Sequence, residues 1–451
     1  MSLHPVVISE PTVPQHWIGI GRRWFRRPDS FASELIELTP DELRKHCYLL
    51  GATGSGKSNL IHHMIAGDIV RGHSIIVLDA RGDLALATAD IAARSGINPE
   101  LVRFFDLGDN ESPLGFNPLS GSGEPFAKAL GLIDATASES ASWGVQLEET
   151  FRNAALLLAE TGSPITQLYP LFHDRRVRLE ILSRAVSANL FEYWSKYDAM
   201  TSDKQASIAA AVMNKLSILT STGGLRTMFG HPNPVDLGAH LRTPGSITII
   251  SLAVHHLHQA GWRTGGLFLN AICREVFSQV HVAERLRNPV RLYVDEFENF
   301  DSKYFESILA EGRRFRLSLV LAHQTLAQLK NHFRSIVLGN VGAKIIFRCS
   351  HADADTLNRD ISGARGTFDL PSLGVGQALL WRLGQSPRFI EVNEPIVFGS
   401  DAVSDRTRAF LAASKVGLEA PRRAESFTVG QPLVDTKPRR QSKPSMEDWL
   451  E

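Results

Sequence analysis

The stretch GATGSGKS, residues 51–58, constrains the fold more than any other feature of the chain. It follows the apolar run CYLL and precedes KSNLIHHMIAGDIV, in which Leu60, Met64 and Ile65 recur at helical spacing. A strand, a glycine-rich loop and a helix in that order form a phosphate cradle. Glycines permit the backbone angles that turn successive N–H groups toward one anion, and the helix N-terminus adds its positive dipole end. The contact candidates are Gly51, Thr53, Gly54, Ser55, Gly56, Lys57, Ser58 and the adjoining Asn59. Lys57 is suited to the β- and γ-phosphates of ATP, and the Ser58 hydroxyl to Mg2+.

Such a cradle needs a carboxylate for the metal and a second polar group for the attacking water. Two strands end in acids. SIIVLDA ends at Asp79, followed by Ala80 and Arg81, which offer no second acid. RLYVDEFENF, residues 291–300, ends in adjacent Asp295 and Glu296. The pair divides the two tasks, Asp295 holding Mg2+ and Glu296 polarising the water. Asp79 then reads as a strand-end turn residue with Gly82 in the bend. A third strand, LSLVLAHQ, brings Gln324 to a strand tip, where its amide can bond the γ-phosphate or the water. Arg313 and Arg314 precede that strand and are expected to reach a neighbouring subunit's site, where an arginine stabilises transition-state charge. The catalytic candidates are therefore Glu296, Lys57 and Gln324, with Arg313 or Arg314 from a neighbour and Ser58 and Asp295 on the metal.

Strands separated by helical segments imply a mainly parallel α/β sheet. Residues 46–120 and 241–395 form this domain. Strand-like runs vanish over 121–240, where LEETFRNAALLLAE and KQASIAAAVMNKLSIL carry helical periodicity, so an all-helical insert is expected. Residues 1–45 form a segment packing on the domain. Residues 396–451 form a polar tail, partly disordered, ending in MEDWLE, a candidate docking peptide.

Lys plus Arg equals Asp plus Glu at 48 each, which excludes a uniformly basic nucleic-acid coat but not a locally basic channel. No apolar run approaches the roughly 18–20 residues of a membrane span, and the start lacks a leader pattern, so a cytoplasmic location is expected. Cys47, Cys273 and Cys349 suggest neither a disulfide framework nor a zinc site.

The motifs GATGSGKSNL, IIVLDARGDL, LGFNPLS, SWGVQLEETFRNAALLL, RLYVDEFENF, EGRRFRLSLVLAHQTLAQL and LGNVGAKIIFRCSHADA resemble the FtsK–HerA superfamily of P-loop motors. Within it they are most similar to the cytosolic part of conjugative type IV secretion coupling proteins of the TraG/TraD type. The resemblance runs from about residue 18 to 394. It implies a RecA-like ATPase with an all-helical insert, assembled as a hexameric ring that pumps single- or double-stranded DNA, and it implies Arg313, by its spacing to Gln324, as the catalytic arginine supplied in trans, with Arg314 the second choice. Coupling proteins usually carry N-terminal membrane helices and HerA proteins a β-barrel. No membrane helix is read in this chain, and about 45 residues before the phosphate-loop strand are too few for a full barrel, so a soluble motor, or one recruited to the membrane by a partner, is expected.

Two relatives of this function stand beside it: a motor of the secretion channel acting on protein, and a HerA-like scaffold working with a nuclease or other effector in antiphage defence. A protein partner would engage the helical insert or the C-terminal tail. Candidate DNA contacts are Arg175, Arg176 and Arg178 in HDRRVR, with Lys344 and Arg348 near the sheet. WIGIGRRWFRR interleaves Trp17, Trp24 and Phe25 with arginines, and reads either as a stacking platform or as an edge strand.

Overall fold

A computed structural model of the chain describes residues 18–23, 34–38, 40–136, 144–300, 302–362, 368–396 and 404–418. The described strands are β1 (Ile18–Arg23), β2 (Glu34–Leu38), β3 (Cys47–Leu50), β4 (Ser74–Asp79), β5 (Val102–Asp106), β6 (Ile247–Ser251), β7 (Val290–Asp295), β8 (Leu317–His323), β9 (Ala343–Phe347), β10 (Gln377–Arg382) and β11 (Arg388–Glu391). They form one sheet in the order β2-β1-β11-β10-β9-β3-β8-β7-β4-β6-β5. From β9 to β5 every neighbouring pair is parallel. From β9 outward through β10, β11, β1 and β2 the pairs are antiparallel. The RecA-like α/β expectation is met, and the antiparallel β10–β11 hairpin is an addition to it.

The strand sequences explain why both faces are covered. Each central strand is mostly apolar and buried at nearly every position, as a sheet packed on two sides requires. Alternation then sorts the side chains: Ile75 and Val77 join Leu60, Ile61 and Met64 of the helix Lys57–Val70 on one face. Ile76 and Leu78 join Phe105 and Phe268 on the other. Between β5 and β6 the described chain is helical, from Pro125–Thr136 to Leu237–Arg242. These helices share the second apolar core with the sheet, and Phe116 stacks on Phe268 at 3.8 Å between ring centroids.

The described residues of the C-terminal region form a helix. The helix Asp405–Lys415 buries Phe410 in the first core, and Lys415 pairs with Asp109 at 2.6 Å. Trp17, Trp24, Phe25 and the final MEDWLE lie outside the described residues; residues 18–23 pair with both β11 and β2. Among the described residues, no helix is long and apolar enough to cross a membrane.

Two DNA-contact expectations are corrected by burial. Arg178 is 4% exposed and donates from Nε to Asp198 at 2.9 Å and from Nη1 to the Leu171 carbonyl at 2.6 Å. Lys344, 2% exposed, is tied to Asp360 and lies 4.3 Å from the Trp381 ring centroid. Both cations are consumed by internal partners. Arg175 and Arg176 remain exposed.

Candidate nucleotide site

The parallel strands β3, β4, β7 and β8 all end at one edge, the position where open α/β sheets bind ligands. A cavity of about 510 Å3 opens there, and its walls include Lys57, Ser58, Asp79, Asp295, Glu296 and Gln324. Lys57 and Ser58 thus meet Asp295, Glu296 and Gln324, 237 to 267 residues further along the chain, because their strands lie side by side in the sheet.

The loop after β3 is pinned by backbone bonds. The Gly51 N–H donates to the His323 carbonyl at 3.3 Å, the Ala52 N–H to Arg348 at 2.9 Å, and the Gly376 N–H to Ser55 at 2.9 Å. Gly56 is required twice over. Its φ is +103°, and a Cβ there would sit 2.9 Å from the Gly376 backbone. The Ser55 hydroxyl is buried without a partner among the described residues. Lys57 is buried to 9% exposure at the helix start, while Ser58 and Thr53 are exposed to the cavity. Asn59 faces elsewhere: its amide donates to the Asn393 carbonyl at 2.7 Å, so it ties the helix to the chain after β11.

Asp79 caps the following turn. Its carboxylate accepts from the N–H groups of Arg81 (3.1 Å), Gly82 (2.9 Å) and Ala85 (2.9 Å). Burial still pushes its carboxyl above the usual range. That is a structural employment, in keeping with the turn-residue reading.

Asp295 sits at the tip of β7. Burial raises its carboxyl, and the Lys57 charge opposes that rise without cancelling it. Glu296 follows in a left-handed conformation, φ +53°, which a non-glycine side chain adopts only when its surroundings hold it. The Asn299 side chain and backbone N–H both donate to its carbonyl, at 3.1 and 3.2 Å. Its carboxylate accepts from Arg81 Nη2 at 2.6 Å. Glu298, two residues further along, is raised to about 7 by burial and by the neighbouring Glu296 and Asp295. Gln324, at the tip of β8, accepts from the Thr53 hydroxyl at 3.1 Å and so touches the phosphate loop directly.

Arg313 and Arg314 lie in the short helix Gly312–Phe315, before β8 begins. Both are exposed, and among the described residues neither forms an ion pair. β8 has seven residues, so at about 3.3 Å per residue the two arginines sit roughly 20 Å from the edge that carries Gln324. They do not reach the cavity of their own chain.

Sequence reading missed Arg81, which it treated only as a residue that was not an acid. It also missed the cavity wall supplied by Ser404 and Thr407, at the start of the C-terminal helix. The Thr407 hydroxyl donates to Asp90 at 2.9 Å. The donor set suits a nucleotide with magnesium: a hydroxyl and a carboxylate for a hard cation, beside an ammonium and a glycine cradle for phosphate.

Comparison with known proteins gives the family and the fold. Residues 33–272 match the family model described as "Helicase HerA, central domain", and residues 289–372 match "TraM recognition site of TraD and TraG". The fold resembles the conjugative coupling protein TrwB, at 15% identity and TM-score 0.56, over 81% of this chain and 89% of that one. A further TrwB structure, in complex with ADP and Mg2+, matches at 14% identity and TM-score 0.56, with the same coverage. VirB4 of Thermoanaerobacter pseudethanolicus matches at 14% identity and TM-score 0.57, over 85% and 97%. An uncharacterized protein of Mycoplasma pneumoniae is 31% identical over 102 residues, which is 21% of this chain and 66% of that protein. The chain belongs to the HerA helicase central-domain family and is a P-loop ATPase of the FtsK–HerA superfamily.

Proposed function

We propose that the chain is a Mg-ATP-driven motor of the coupling-protein type, working as a hexameric ring that moves DNA. One observation carries the reading. Lys57, Ser58, Asp295, Glu296 and Gln324 line a single cavity, whereas Arg313 stands exposed at the opposite end of β8. A site that Arg313 of its own chain does not reach, and an Arg313 with no site of its own chain in reach, are complementary when copies pack side by side.

In this reading the loop N–H groups and Lys57 hold the β- and γ-phosphates. Ser58 and Asp295 hold Mg2+, which neutralises phosphate charge. Glu296 polarises the attacking water, and Gln324 links the γ-phosphate to the loop through Thr53. Arg313 of one copy serves the cavity of the next. Residues 121–240 act as the insert facing DNA or a partner, with Arg175 and Arg176 contacting DNA phosphates. The ring works in the cytoplasm, where a partner can recruit it to the membrane.

The match of residues 289–372 to a TraM recognition site supports a protein partner alongside DNA. Turnover measured with single-stranded DNA, double-stranded DNA and neither, across salt concentrations and on a sample of known oligomeric mass, tests the proposal. Stimulation that falls with salt is expected. A hexamer or smaller ring with turnover indifferent to both DNAs rejects the DNA motor and favours a protein-directed motor or an effector scaffold.

A further inference from the structure

We infer that Arg81 is a positioning residue that senses the terminal phosphate of a nucleoside triphosphate by exchanging it for the Glu296 carboxylate. The inference rests on the nucleotide reading of the cavity and goes beyond it.

Three observations converge. The Arg81 guanidinium is paired with Glu296 at 2.6 Å, so the group assigned to the water is engaged by a cation. The two partners are held differently. Glu296 is 17% exposed on a backbone fixed at positive φ, while the Arg81 side chain is 65% exposed. The Arg81 backbone is nevertheless anchored, because Asp79 accepts three N–H bonds from the turn that carries it. A long cationic side chain on a fixed pivot can change partners without moving the chain. Finally, Arg81, Glu296, Lys57 and Ser58 line the same cavity.

A γ-phosphate seated by Lys57 and Ser58 is a second anion within that cavity. It offers a guanidinium more acceptor oxygens and more negative charge than one carboxylate. When Arg81 turns to the phosphate, the Glu296 carboxylate is freed to accept from water. A diphosphate lacks the competing group and leaves the Arg81–Glu296 pair in place. Arg81 thereby links the presence of the third phosphate to the readiness of Glu296, and it does so within one subunit.

The test is equilibrium binding of a non-hydrolysable ATP analogue and of ADP, each with Mg2+, to the full chain carrying Arg81→Ala, Arg81→Lys, Glu296→Gln, or Arg81→Ala with Glu296→Gln. Arg81→Ala should weaken the analogue by about tenfold, one charge-assisted contact, and change ADP by less than about twofold. Arg81→Lys should restore part of the discrimination, which a mere defect of the turn would not allow. Glu296→Gln should tighten the analogue more in the presence of Arg81 than in its absence, because only then is a guanidinium released. An equal effect of Arg81→Ala on both nucleotides, or equal tightening by Glu296→Gln in both backgrounds, overturns the inference while leaving the site intact. Failure of the wild-type chain to bind either nucleotide overturns the nucleotide reading itself.

Discussion

Replacing Arg291 by Met tests the buried charge at the start of β7. Arg291 is 9% exposed in its side chain and reaches both oxygens of Asp68, which is 0% exposed in the last turn of the helix Lys57–Val70. Tyr293 donates its hydroxyl to Asp68 at 2.6 Å, and the His73 ring lies 3.0 Å from the other oxygen. Methionine keeps much of the aliphatic stem and deletes the charge. Removing one partner of a buried pair costs about 3–5 kcal/mol. The lower figure, about 3 kcal/mol, applies because Tyr293 and His73 remain as partners.

The sign of the pH dependence follows from Asp68. Burial pushes its carboxyl up, but Arg291, His73 and Tyr293 outweigh burial and hold it below the ordinary range. Such a group stabilises the fold at pH above its unfolded value, and the contribution is lost as pH falls through the folded one. In Arg291→Met the strongest opposing influence is gone, so burial dominates and the carboxyl rises above its unfolded value. The variant then recovers relative to wild type as pH drops from 7.5 toward about 5. Urea unfolding at both pH values measures this, as the midpoint shift at a common slope. Adding Asp68→Asn to Arg291→Met removes the stranded charge and should return about 1 kcal/mol or more at pH 7.5. A deficit below about 1 kcal/mol, a deficit indifferent to pH, or a second penalty from Asp68→Asn would refute the reasoning.

Lys57→Ala should abolish ATP turnover with an unchanged unfolding midpoint, and Glu296→Gln should keep nucleotide while hydrolysis falls by roughly 10²–10⁴; wild-type-like turnover in either rejects the assignment. Arg313→Ala and Lys57→Ala, each inactive alone, should recover measurable turnover when mixed, because a mixed ring contains interfaces with an intact Lys57 and an intact Arg313. A mixture as inactive as its components argues against supply from the neighbour. Arg175→Ala with Arg176→Ala should weaken DNA binding and flatten its salt dependence by about 0.7–0.9 of a logarithmic slope unit per lost contact, with stability changed by less than about 0.5 kcal/mol. Arg178→Ala should instead destabilise the fold by about 3 kcal/mol, since it leaves Asp198 only the 3.4 Å contact from Arg175 and leaves the buried Leu171 carbonyl without its donor, and urea midpoints separate the two cases.

What could be read from the sequence was what is local. The phosphate loop is eight consecutive residues with its strand and helix attached. Asp295 and Gln324 announce themselves as polar residues at the ends of apolar strands. The Arg81–Glu296 pair was not legible, because its members are 215 residues apart. They meet only through the adjacency of β4 and β7, which chain order does not reveal. Burial of the basic residues had fainter signals. Arg178 shares a helix face with Ile181 and Leu182, three and four residues on, so periodicity puts it inward despite its basic neighbours. Lys344 is the lone charge in AKIIF, a strand otherwise apolar throughout, and a buried ammonium needs a partner. The β10–β11 hairpin escaped notice because β11 is four residues long and half polar, too short for alternation to stand out.

The two ion pairs of β7 differ in solvent exposure, and that difference assigns them different work. At the start of the strand, Arg291 and Asp68 are both withdrawn from water, and parting them leaves an uncompensated charge. At its end, Arg81 is mostly in solvent, so its pairing with Glu296 is worth about 0–1 kcal/mol. The lower pair joins β7 to the end of the same helix whose first residue is Lys57. It therefore fixes the separation between the phosphate loop and the acidic tip of the strand. The upper pair is weak enough for a phosphate to displace. Were the exposures reversed, the cavity would be loosely framed and its switch too strongly held to exchange. With a rigid lower joint, exchange at the upper one can stay confined to side chains, which is the condition for sensing one phosphate without disturbing the cradle that binds the others.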